Sequence, residues 1–338
     1  MKRIPTLARA LAVAACALVA VGAAGTARAV IVAPGYTVQE IALPDFAAGD
    51  VVVVGDALFV GVGAGFVGGL QSVVRLDASG VTVVAQGFQG LSGMTYDAAG
   101  DRLIVSDNAL EAPGAVTGDT VYAIPNPLGA FPTPVAALGS ELLPAGTLPG
   151  AADIELDPGD PTGGTLLVSD SVTNQVLRIA LGSGAATPLQ STTGFAAGLA
   201  ASADTLWFGE LTFDATFTPD GTVSAVAMPG NGTATPLVSG LPGQYDLELA
   251  PDGTLVASAG DRLVRIDPLT GETTPIATGF GFATGLFVTA DGSIWAIDGG
   301  FPGIAAVYRL TPVPAPGAAA LLVLGAAGLA RRARRSAR

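Results

Sequence analysis

The chain has 338 residues, half of them apolar, with 28 acidic against 15 basic side chains, no histidine and one cysteine. Without histidine there is no Ser-His-Asp triad and no imidazole to act as general base near neutral pH. Nine of the 15 basic residues lie in the first 28 and last eight positions, so the body sets six arginines and no lysine against all 28 carboxylates, a formal charge of −22. Such a surface repels phosphate backbones, which excludes nucleic acid as a partner.

At the start, Lys2 and Arg3 precede an apolar run from Ala10 to Ala24, and Ala27-Arg28-Ala29 forms a small-x-small site. This pattern predicts a signal peptide over residues 1–29, cut by signal peptidase after Ala29. Val13-Ala14-Ala15-Cys16 also has the form of a lipoprotein box, but the uninterrupted apolar run before Cys16 is only six residues. With cleavage after Ala29 the mature chain has no cysteine, hence no disulfide, thiol nucleophile or Cys metal site.

Residues 30–312 carry no long helical periodicity. Short Val/Ile/Leu runs alternate with Asp-Gly, Ala-Gly and Pro-Gly turns, the signature of strands and hairpins. The strands preceding these turns align in six copies, which begin Ala48-Gly49-Asp50-Val51, Leu91-Ser92-Gly93-Met94, Ala151-Ala152-Asp153-Ile154, Ala196-Ala197-Gly198-Leu199, Gln244-Tyr245-Asp246-Leu247 and Ala283-Thr284-Gly285-Leu286. Their third positions are 43, 60, 45, 48 and 39 residues apart, the period of four-stranded propeller blades with one enlarged unit. The sixth copy stops after a third strand, Val307–Leu310, while Tyr36–Ile41 precedes the first copy and alternates as a strand should. The expectation is an all-β, six-bladed β-propeller closed by this N-terminal strand. The Pro/Gly-rich stretch from Pro125 to Pro149 reads as a loop, so a seventh blade is not expected.

The third positions alternate Asp50, Gly93, Asp153, Gly198, Asp246, Gly285. Innermost strands line the axis of a propeller, so three carboxylates from alternate blades are placed to converge on an oxygen-seeking cation, Ca²⁺ or another divalent ion. The competing reading is structural: Asp at a strand start accepts backbone N–H bonds in a turn. A second set, Asp107, Asp170, Glu210 and Asp298, falls at the ends of second strands and is read as turn bracing; Val62 and Ala259 interrupt it. Asp157, Asp252, Asp267 and Asp291 fall in hairpin turns and receive no functional reading. Trp207, Trp295, Tyr245 and Phe282 offer stacking surfaces for sugars, but aromatic residues in strands more often pack cores.

Stretches such as Ser169-Asp170-Ser171-Val172-Thr173-Asn174-Gln175-Val176-Leu177-Arg178-Ile179 resemble NHL repeats and the gluconolactonase/senescence-marker propellers. The lactonase members of that group hold a divalent metal in the central channel, through an acidic residue after a Gly in one first strand and through Asn or Asp of Pro-Asn-Gly and Pro-Asp-Gly elements. Here Gly49-Asp50 matches the first, with Asp for Glu. Ala196-Ala197-Gly198 and Ala283-Thr284-Gly285 lack the ligand side chains of the others.

Residues 313–338 open with Val313-Pro314-Ala315-Pro316, continue with 14 apolar or small residues from Gly317 to Ala330, and end with five arginines among eight residues. As a helix the apolar part would rise about 21 Å, short of a hydrocarbon core of roughly 30 Å. This architecture resembles the PEP-CTERM sorting signal, by which Gram-negative bacteria pass exported proteins to a membrane-embedded exosortase; Ala315 stands where that family has Glu. The resemblance implies transient membrane tethering, an exosortase-like protease as partner, and a destination in the cell envelope or extracellular matrix. Together these features lead to the expectation of an exported propeller with a non-catalytic binding or matrix role, toward extracellular polysaccharide or a matrix protein. A divalent-metal lactonase or esterase and a purely structural surface protein are the alternatives.

Overall fold

A computed structural model describes residues 29–43, 47–63, 70–108, 118–129, 133–134, 142–144, 146–160, 162–216, 218–230, 232–299 and 305–313. The signal segment before Ala29 and the sorting segment after Val313 lie outside the described residues.

The described chain is all β, arranged as six blades around an axis. Blade 1 contains β3 (Ala47–Val54), β4 (Ala57–Val62), β5 (Gln71–Asp77) and β6 (Gly80–Phe88). Blade 2 contains β7 (Leu91–Asp97), β8 (Arg102–Asp107) and β9 (Thr120–Pro125), and blade 3 contains β11 (Ala151–Leu156), β12 (Thr165–Asp170), β13 (Gln175–Ala180) and β14 (Ala185–Ser191). Blade 4 runs through β15 (Phe195–Ala201), β16 (Thr205–Phe213), β17 (Pro219–Ala227) and β18 (Thr235–Leu241). Blade 5 follows with β19 (Gln244–Leu249), β20 (Leu255–Ala259), β21 (Arg262–Ile266) and β22 (Thr273–Thr278). Blade 6 has β23 (Ala283–Val288), β24 (Ile294–Asp298) and β25 (Ala306–Pro312), and its outer strand is β2 (Tyr36–Ala42).

The N-terminal closure is as the sequence predicts: β2 lies antiparallel to β25, with Val38 opposite Leu310 and Ile41 opposite Val307. Just before it, the two-residue β1 (Ile31–Val32) pairs with β22 of blade 5, so the first described residues stitch two blades together. A chain beginning at Leu43 should therefore leave the β25 edge unpaired and lose the cooperative unfolding transition. Calorimetry checks this, and an unchanged transition would show that closure does not depend on β2.

The enlarged second unit adds no blade. From its long connection, β10 (Thr133–Pro134) pairs in parallel with β6 of blade 1. Further on, the Leu142 N–H donates to the Val121 carbonyl at 2.9 Å, so the chain there lies against β9, and blade 2 has three strands among the described residues.

Six hydrophobic clusters fill the six interfaces between neighbouring blades. The one between blades 1 and 2 gathers Phe59, Val73 and Phe88 with Met94, Leu103 and Tyr122, the Phe88 and Tyr122 rings meeting edge to face at 5.9 Å. Because a blade is covered on both faces, its second strand has no polar side, and β4, Ala57 to Val62, is buried at every position. This is why these strands read as continuous apolar runs. Each innermost strand touches those of both neighbouring blades, β23 closing onto β3.

Candidate axial site

All six innermost strands carry a register shift near their third position, between residues 47 and 51, 91 and 94, 151 and 153, 196 and 199, 244 and 247, and 283 and 286. A bulge of this kind frees backbone groups from the ladder and re-aims a side chain. In blades 2, 3 and 5 a fully buried serine of the second strand takes up the freed groups. Ser106 Oγ accepts from the Gly93 N–H at 2.7 Å, Ser169 Oγ from Asp153 N–H at 3.0 Å, and Ser258 Oγ from Asp246 N–H at 2.8 Å. These serines were not singled out in the sequence; the shared Ser at the same place in three second strands is the signal that would have found them.

The structure brings Asp50, Asp153 and Asp246 together at the axis. All three are buried, and the Asp246 carboxyl shares hydrogen bonds with both others. Each also ties its blade to the next. Asp50 accepts from Val51 N–H at 2.6 Å and from Met94 N–H of blade 2 at 3.2 Å. Asp153 accepts from Ile154 N–H and from Leu199 N–H of blade 4, both at 2.7 Å. Asp246 accepts from Leu247 N–H at 2.7 Å and from Leu286 N–H of blade 6.

The intervening glycines complete the circle. A Cβ on Gly93 would stand 2.7 Å from Asp153 Cα, one on Gly198 2.5 Å from Asp246 Cα, and one on Gly285 2.8 Å from Asp50 Cα. The Asp/Gly alternation is therefore a repeating joint: an aspartate reaches forward to the next blade, and that blade's glycine lets the following blade approach.

Two further carboxylates line the channel two residues along, Glu155 and Glu248, both retaining partial contact with solvent. Glu155 repeats the forward tether, accepting from Ala201 N–H of blade 4. The five acids affect one another strongly. Burial, then the charges of Asp246 and Asp153, hold Asp50 well above the ordinary carboxylate range, and burial with the charge of Asp246 does the same for Asp153. Burial raises Asp246 to about 6, and burial with the Asp246 charge raises Glu155 to about 8. Glu248 is pushed well up by burial and by the charges of Glu155 and Asp246. At neutral pH this cluster holds protons, since adjacent buried carboxyls cannot all ionise without a counter-charge.

The second acidic set braces loops. Asp107 accepts from Gln89 N–H at 2.9 Å and Gly90 N–H at 2.7 Å, Asp170 from Val172 N–H at 2.9 Å and Thr173 N–H at 3.0 Å. Glu210 accepts from Thr193 N–H at 2.7 Å, and Asp298 from Gly281 N–H at 2.8 Å and Phe282 N–H at 3.0 Å. Trp207 lies in the core between blades 4 and 5, and Tyr245 meets Phe282 edge to face at 4.6 Å. Both fit packing.

No protein-family model matches this chain, and no curated protein sequence matches it. Solved structures do. A protein described as an oxidoreductase (glucose dehydrogenase) from Thermus thermophilus is similar with a TM-score of 0.59 at 14% identity, over 82% of this chain and 100% of that one. One described as a gluconolactonase gives a TM-score of 0.56 at 13% identity, over 83% and 94%. Virginiamycin B lyase from Staphylococcus aureus gives 0.54 at 13% identity, over 82% and 100%. These likenesses define the class as a six-bladed β-propeller of gluconolactonase-like fold. Three different chemistries are named among them, so the fold alone selects none.

The lactonase resemblance reaches the axis through Gly49-Asp50. Gly198 and Gly285 stand where that resemblance requires ligand-bearing elements, and each oxygen of Asp50, Asp153 and Asp246 already accepts a backbone N–H. Among the described residues no group of three or more Asp or Glu has the spacing of a metal cage.

Proposed function

We propose that this protein is an exported propeller that binds a ligand or matrix partner without catalysing a reaction. The observation that supports this most is the use made of the axial carboxylates: in the place where a channel could carry out chemistry, the acids join blade to blade and hold protons. The address belongs to the same proposal. Signal peptidase cuts after Ala29, an exosortase-like protease acts beyond Val313-Pro314-Ala315-Pro316, and the mature protein resides in the envelope or extracellular matrix of a Gram-negative bacterium.

A second reading, a Ca²⁺-like ion held by Asp50, Asp153 and Asp246 in a lactone- or ester-hydrolysing site, draws on their convergence without a counter-charge. One experiment separates the two. The purified full chain, with and without added calcium, is offered a panel of lactones and esters while calcium binding is measured alongside. The expected result is no turnover above the uncatalysed rate. Calcium-dependent turnover, lost in an Asp50→Asn, Asp153→Asn, Asp246→Asn variant, would replace the binding reading with the hydrolase.

A further inference from the structure

Away from the axis, a cavity of about 400 Å³ opens at the seam between the last and first blades, within the ordinary range for small-ligand sites of roughly 300–1,000 Å³. One wall is the first hairpin of blade 1, Val53 and Gly55 to Leu58, and the other is the β23–β24 turn of blade 6, Thr289 to Asp291. Trp295 and Arg309 also line it; they are cross-strand partners of β24 and β25, with the Arg309 guanidinium 5.1 Å from the centre of the Trp295 ring.

Arg309 differs from the other arginines of the body. Arg75, Arg102, Arg178, Arg262 and Arg265 each pair with an aspartate at 2.7–2.9 Å. Arg309 has no ion pair among the described residues, although the body carries 28 carboxylates. Asp291, which feels its charge, spends its own oxygens on Thr289 Oγ1, Ser293 N–H and Ser293 Oγ. Arg309 Nε and Trp295 Nε1 are both covered from solvent and have no hydrogen-bond partner among the described residues. Both side chains are half-buried in the cavity wall, so a ligand there meets their open faces rather than these covered nitrogens.

We propose that this seam cavity binds an acidic sugar unit, its carboxylate held by Arg309 beside Trp295 and its hydroxyls by Asp56 and Thr289. A stacked guanidinium presents a planar fork suited to a carboxylate, and the unpaired cation is what makes an anionic group welcome on an otherwise acidic body. Hydroxyls both donate and accept, which suits a rim carrying carboxylates. Val53, Ala57 and Leu58 offer the apolar surface that a sugar ring covers. The proposal rests on the binding function above and gives it a ligand class.

The protein contains two tryptophans, and Trp207 is packed in a distant core, so intrinsic fluorescence reports on Trp295. Glucuronate titrated into the full chain should change that emission saturably, while glucose and inorganic sulfate should not. Arg309→Gln should weaken glucuronate binding about tenfold or more, Arg309→Lys should lose part of it, and Asp56→Asn should weaken it with the fold intact by circular dichroism. Absence of a saturable change with wild type, equal binding of glucose, or an unaltered Arg309→Gln variant overturns the site; a response to sulfate equal to that to glucuronate overturns the sugar assignment and leaves a simple anion site. None of these outcomes touches the non-catalytic reading, which fails on turnover.

Discussion

The protein will melt at a higher temperature at about pH 5 than at about pH 8, the reverse of the usual gain as carboxylates ionise. The reason is the axial cluster. In the unfolded chain its aspartates and glutamates return to ordinary values of 3.8 and 4.5, whereas in the fold Asp246 titrates at about 6, Glu155 at about 8, and Asp50, Asp153 and Glu248 are raised well above the ordinary range. Below the ordinary values both states are protonated and the contribution of these groups is complete. Between the ordinary and the raised values the fold retains protons that the unfolded chain has released, so each such group lowers stability as pH rises through that window. Buried Asp107, raised to about 6, adds to the trend. The turn aspartates act in the other direction. Asp160, lowered to about 2 by bonds from Thr162 and Thr165, and Asp77, Asp214 and Asp291, likewise lowered by local bonds, contribute stability that is lost only as pH falls below about 4.

The optimum should therefore lie near pH 4–5, with the midpoint falling as the pH rises to 8. Asp246→Asn removes the charge and should flatten this slope, while one of the Leu247 and Leu286 N–H groups then faces the amide nitrogen and loses its acceptor. Asp246→Ala should lower the midpoint at every pH, because Leu247 N–H and Leu286 N–H lose their acceptor. A midpoint for wild type that is level or rising between pH 5 and pH 8 would falsify the proton-holding cluster.

Gly198→Ala should be among the most damaging single substitutions in the chain. The new methyl would stand 2.5 Å from Asp246 Cα, Asp246 C and Leu247 N, all backbone atoms of the neighbouring inner strand. A side chain can turn aside from such an overlap, but six inner strands closed into a ring can yield only by opening a joint. The loss should exceed about 3 kcal/mol in urea unfolding, at or beyond the upper end for overpacking. Gly182→Ala, where nothing lies within 4 Å, provides the control and should stay within about 0.5 kcal/mol. Comparable midpoints for the two variants would show that the glycines at the axis are not spacers.

By itself the sequence determined the blade count, the innermost strands and the closing strand. Turn chemistry and apolar runs are local signals, and six repetitions of one local pattern leave little freedom in how they assemble. It also marked Asp50, Asp153 and Asp246 as equivalent, because equivalence in a repeat is a matter of spacing. What those carboxylates do was decided only by the closed ring. Their partners Met94, Leu199 and Leu286 belong to the next blade, 44, 46 and 40 residues away, and no local pattern announces such a bond. Glu155 and Glu248 had no local mark either, since only the channel turns two ordinary strand residues into neighbours that raise each other's pKa. The seam cavity is the extreme case. Asp56 and Arg309 are 253 positions apart in the chain, and they line one space because the last blade, completed by the N-terminal strand, packs against the first.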